Sequence, residues 1–129
     1  MTREDKELLL KDLCARVPYG VKYMRYSWNF DTDQELPVIE TLECADKDGY
    51  INHIRVHTVY DIKPYLFPLS SMTEEQKKEY AHILVMSSNL AYSQLLDMTV
   101  EDWFNKNHFD YRGLIPKGLA LDATGKNIY

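Results

Sequence analysis

Apolar residues recur with helical spacing toward both ends of this chain and with strand spacing between them. Near the N-terminus Leu10, Leu13, Cys14 and Val17 mark one helix face, Thr2 and Asp5 form a capping pair, and Pro18 and Gly20 close the segment. The pattern predicts a helix over 3–16 with Glu4, Lys11 and Asp12 on its solvent face. "VKYMRYSW" (21–28) favours a strand, but Val21 and Tyr23 lie on one parity and Tyr26 and Trp28 on the other. That slip predicts either a bulge near Met24 or partial cover on both faces. "FDTDQELP" reads as an acidic turn, with Pro37 at the first position of the next strand, where its missing N–H does least harm.

The clearest hairpin joins "VIETLECA" (38–45) through "DKDG" to "YINHIRVHTV" (50–59). A type I turn followed by left-handed Gly49 pairs Asp46 with Tyr50, and that register sets Leu42 against Ile54 and Cys44 against Asn52. The opposite face then pairs Glu43 with His53, Thr41 with Arg55 and Ile39 with His57. "YDIKPYLFPLSS" carries Pro64 and Pro68, so it is extended at most at a sheet edge and crosses from sheet to helix. In "MTEEQ", Thr73 caps Gln76 and opens a helix that runs to about Leu96, with "SSN" (87–89) as a kink or break. Thr99 with Asp102 opens a short helix to about Lys106, and Leu119, Leu121 and Ala123 alternate as a final strand after the Pro116–Gly118 turn. The expected fold is α+β: a small antiparallel sheet of three to four strands with two or three helices packed on one face.

At 129 residues, with 45% hydrophobic and 27% charged residues, the chain fits a single globular domain, 1–129. A net charge of −5 opposes nucleic acid as a partner, and the acids are too scattered to imitate one. Cys14 and Cys44, far apart and without C-x-x-C spacing, read as two buried thiols in a reducing compartment. "MTREDKELLL" lacks the apolar core of a signal peptide and "ILVM" is too short to span a bilayer, so a cytoplasmic protein with no membrane association is expected.

Chemistry has three candidate places. His53, Arg55 and His57 alternate along one strand with Glu43 opposite, a spacing that permits a metal- or phosphate-dependent enzyme; the plain alternative is a solvated sheet face. In "NHFDYRG" (107–113), His108 reads as a general base oriented by Asp110, with Arg112 holding an anion. The same residues serve a helix exit more economically, with His108 as a cation at the helix C-terminus, Phe109 and Tyr111 as anchors, and Gly113 turning the chain. Tyr65 and Phe67 in the proline-rich crossover suit either a docking surface or a core. None of the phosphate-loop, dinucleotide, nucleophile-elbow or zinc-protease motifs occurs, so no cofactor or metal is expected and an enzyme is the less favoured reading. Ten tyrosines and two tryptophans favour a protein partner or a homo-oligomer.

The stretches "LCARVPYGVK", "IKPYLFPLSSMTEEQ" and "WFNKNHFDYRGLIPKGLALDATGKNIY" resemble an uncharacterised family of small proteins from gut bacterial genomes, phages and mobile elements. The resemblance covers about half the chain, both ends and the crossover, and implies a bacterial intracellular setting and an accessory role that works by binding.

Overall fold

The computed structural model describes residues 1–46, 49–52, 54–89 and 98–129, and at 54–57 and 59 the backbone alone. Helix α1 (Arg3–Arg16) opens on the expected reciprocal cap: the Thr2 hydroxyl accepts from the Asp5 N–H and the Asp5 carboxylate accepts from the Thr2 N–H. Its buried stripe is Leu9, Asp12, Leu13 and Arg16, about one position round from the apolar stripe of the sequence. Asp12, expected on the solvent face, is therefore fully buried, and Cys14, expected in the core, is exposed. The rotated stripe has a physical cause. Arg16 Nε lies 2.8 Å from Asp12 Oδ2, so the two charges enter the interior as a neutralised pair and take the core face with them.

Strand β1 (Lys22–Asn29) turns through Phe30–Asp33 into β2 (Gln34–Thr41), paired antiparallel from Lys22 opposite Thr41 to Asn29 opposite Gln34 without a bulge. The slip in alternation has a different origin: Tyr23 enters the core, whereas Tyr26 and Trp28, on the other face, remain exposed. Leu42 donates to the Val21 carbonyl at 2.9 Å, which fixes the ladder's parity. Val38 and Glu40 exchange backbone bonds with β1, while Pro37 sits at a non-exchanging position opposite Tyr26. Pro37 thus lies inside β2 rather than at its start, and its missing N–H faces the open outer edge.

The partner expected for residues 38–42 is corrected as well: Ile39 and Thr41 pair with Met24 and Lys22, not with His57 and Arg55. The flanks of the expected turn are in place, with Gly49 at φ +87°, Asp46 bonded to Tyr50 and Ala45 bridged to Ile51, while residues 47–48 lie outside the described residues. It ends after those steps because Asn52, at φ +51°, reverses the chain. β3 (Tyr50–Ile51) then pairs with β4 (Ile54–Thr58) as a separate two-stranded sheet. The Asn52 side chain takes over the unpaired groups of 41–44, donating to the Thr41 carbonyl and accepting from the Glu43 and Cys44 N–H groups.

A 3₁₀ turn (Val59–Asp61) leads into β5 (Lys63–Leu66), which is an inner strand, not an edge. The four-stranded order is β2-β1-β5-β6, with β5 antiparallel to β1 and parallel to β6 (Leu121–Asp122), so the sheet is mixed. Helix α2 (Glu74–Ser88) opens on the Thr73–Gln76 cap, and its helical run within the described residues stops at the expected "SSN"; residues 90–97 of the longer predicted helix lie outside the described residues. Helix α3 (Val100–Lys106) opens on the Thr99–Asp102 cap.

This is an α+β fold with two apolar clusters. One packs Leu9 and Leu13 of α1 against Val21, Tyr23, Ile62 and Leu66 of the sheet region. The other stacks Trp103, Phe104 and Phe109 with Tyr80 and Phe67. Each fully buried leucine contributes roughly 1.5–3 kcal/mol. Among the described residues no helix is long and apolar enough to cross a membrane.

Candidate functional site

The stretch at 107–113 is built on the exit of α3. Phe109 N–H donates to the Phe104 carbonyl and His108 N–H to the Asn105 carbonyl, the paired bonds of a helix terminus whose left-handed residue is usually glycine. Here that residue is His108, at φ +61°. Its ring stacks on Tyr129 at 3.7 Å between centroids, and its buried Nδ1 has no hydrogen-bond partner among the described residues. Burial, with Arg16 and Lys22 adding repulsion, lowers the His108 pKa to about 4. The expected cation at the helix end is therefore a neutral imidazole.

Asp110 does not orient it. Its two carboxylate oxygens accept from the Leu114 and Ile115 N–H groups at 2.8 and 2.9 Å, closing the turn that follows. Arg112 is held by Asp12 at 3.1 Å and by the Tyr111 hydroxyl at 2.7 Å. Arg16 reaches across to the Phe109 carbonyl at 2.6 Å. His108, Asp110 and Arg112 thus come together in space, but each is engaged in joining α1, α3 and the tail.

The aromatic crossover is likewise inside the fold. Tyr65 is buried in β5, and Phe67 accepts from the Asp110 N–H and donates to the His108 carbonyl, both at 2.8 Å. Of the hairpin residues, Glu43 is exposed, with its N–H tied to Asn52, and Arg55 and His57 fall on β4, opposite β3 and not β2. His53 lies outside the described residues, as do the side chains of Arg55 and His57. Among the described residues no group of three or more His, Cys, Asp or Glu is placed to hold a metal ion.

What the sequence reading passed over is the far half of the β1–β2 hairpin. Tyr26 is 57% exposed, Trp28 47%, Phe30 87% and Ile39 50%, an unusual density of open apolar surface on one element. The ladder parity places Met24, Tyr26, Trp28, Pro37 and Ile39 on a single face of the ribbon, with Glu35 at its tip end. Support from β5 ends at Met24 opposite Lys63, so beyond that point the hairpin stands as a two-stranded arm. Beside it lies a groove of about 240 Å³ lined by Met24, Tyr26, Tyr60, Ile62, Lys63 and Leu119. The arm's tip carries Asp31, Asp33 and Glu35, all exposed, and no lysine or arginine falls between residues 26 and 37. The one sequence signal for this surface was the slipped alternation in "VKYMRYSW".

No protein-family model matches the chain, and comparison with curated proteins and with solved structures likewise finds no match.

Proposed function

We propose that this is a non-enzymatic protein-binding module, an accessory protein of phage or mobile-element origin, and that the β1–β2 arm is its contact surface. The observation that carries this reading is the exposure of Tyr26, Trp28, Phe30 and Ile39 on the part of the hairpin that adds no residue to the main core. Rigid aromatic side chains give large contact area at low entropic cost, which suits an interface. The residues nearest to catalytic chemistry, His108 and Asp110, support the same reading because both hold the fold together.

The test is site-specific photo-crosslinking in extract of a bacterial host. A photoreactive residue at position 30 is expected to trap one discrete protein, whereas the same group at Lys78, on the exposed surface of α2, traps none. Equal labelling from both positions, or none from position 30, overturns the proposal.

A further inference from the structure

The arm has two open edges, and they are not equivalent. On the β2 side the outward N–H groups would come from Glu35, Pro37, Ile39 and Thr41, and proline has none, so an incoming strand meets a gap in mid-edge. On the β1 side the outward groups belong to Tyr26 and Trp28, and neither is proline. There β5 has given way to the 3₁₀ turn Val59–Asp61, held in shape by the Thr58–Asp61 cap, and the groove lies alongside.

We infer that an extended segment of a partner protein, apolar at alternate positions and basic at the end that meets the arm's tip, adds as a strand to the open side of β1 opposite Tyr26 and Trp28. This rests on the reading of the arm as a protein-contact surface and specifies how contact is made. Backbone exchange with Tyr26 and Trp28 supplies the pairing, and every second side chain falls on the Met24–Tyr26–Trp28 face and into the groove. Asp31, Asp33 and Glu35, clustered at the tip, select basic residues at the end of the segment that meets them. A second copy of this chain does not fit the slot in the symmetric register centred on Ser27. Antiparallel pairing centred on Ser27 would run its Phe30–Asp33 turn into the place that β5 fills opposite Met24.

The probe is a synthetic peptide of about six residues, the length of an ordinary strand, alternating valine with serine and ending in two lysines. Hydrogen exchange on the full chain should show added protection at the Tyr26 and Trp28 amides and no change at Ser27, whose amide already faces β2. Neutralising the tip with Asp31→Asn, Asp33→Asn and Glu35→Gln should weaken binding about tenfold at low salt and flatten its salt dependence. A peptide N-methylated at alternate residues should not bind.

Equal binding by the N-methylated peptide or by the peptide with glutamates in place of its lysines overturns the inference, as does dimerisation of the chain through the arm. Crosslinking from position 30 with no protection at Tyr26 and Trp28 sinks this inference while leaving the protein-binding reading standing. Loss of both removes both.

Discussion

A histidine at a helix C-terminus is conventionally a stabilising cation, and His108 shows how burial reverses that expectation. Its ring lies against Tyr129, its Nδ1 is buried without a hydrogen-bond partner among the described residues, and burial together with repulsion from Arg16 and Lys22 disfavours a proton there. Protonation would put a positive charge into a buried site that offers Nδ1 no acceptor among the described residues. The folded pKa of about 4 lies below the ordinary 6.5, so between those values the unfolded chain binds more protons than the native one. The stability tied to neutral His108 is fully present above 6.5 and is lost as pH falls through about 4. Thermal melts across this window should show Tm declining toward acid, and His108→Asn, which tolerates the left-handed backbone, should lower Tm near neutrality but flatten the decline. A variant slope equal to the wild-type slope would assign the acid sensitivity to other groups.

At the scale of elements, legibility followed sequence distance. The Thr2, Thr73 and Thr99 caps could be read from the sequence because each is complete within four residues, and all three form with both reciprocal bonds. Strand partners could not, because β2 had two candidate neighbours and the choice was made by the Asn29 side chain, which accepts from the Asp31 and Thr32 N–H groups, and by the reversal at Asn52. Pro64 misled for a similar reason. It stands opposite Tyr23 at a non-exchanging position, so its missing N–H costs the β1–β5 ladder nothing. The candidate site was legible only as an anomaly, since an alternation that fails to bury Tyr26 and Trp28 looks like a bulge until the arm is seen.

Next to Pro64 the two strands are bridged by a side chain. The Tyr129 hydroxyl accepts from the Lys22 N–H at 2.8 Å and donates to the Tyr65 carbonyl at 2.7 Å. Tyr129→Phe keeps the ring on His108 and Phe67 but leaves both backbone groups without that partner. A loss of about 1–3 kcal/mol in denaturant unfolding is expected, with faster exchange of the Lys22 amide. Unchanged Lys22 exchange would mean that water replaces the hydroxyl without cost.

For the whole molecule, the question is why two apolar clusters with few shared side chains should unfold as one. The joint is polar: Arg16 of α1 binds both Asp12 and the Phe109 carbonyl, Asp12 also binds Arg112, and Phe67 exchanges backbone bonds with the His108–Asp110 stretch. Phe109 belongs to the aromatic cluster, and Leu13, beside Asp12 on α1, belongs to the other. Asp12→Ala removes the sole carboxylate bound to Arg16 among the described residues, leaving a fully buried guanidinium uncompensated, for which a loss of about 3–5 kcal/mol is expected. The sharper expectation is where that loss shows. Trp103, in the aromatic cluster, reports by fluorescence, and α1 contributes to far-UV circular dichroism, so in the wild type both signals should share one midpoint. If the polar joint is the coupling, Asp12→Ala should lower both and draw the midpoints apart, with the helix signal lost first. Midpoints that fall together would place the coupling in Phe67 and Phe109, whose backbone bridge the substitution leaves intact.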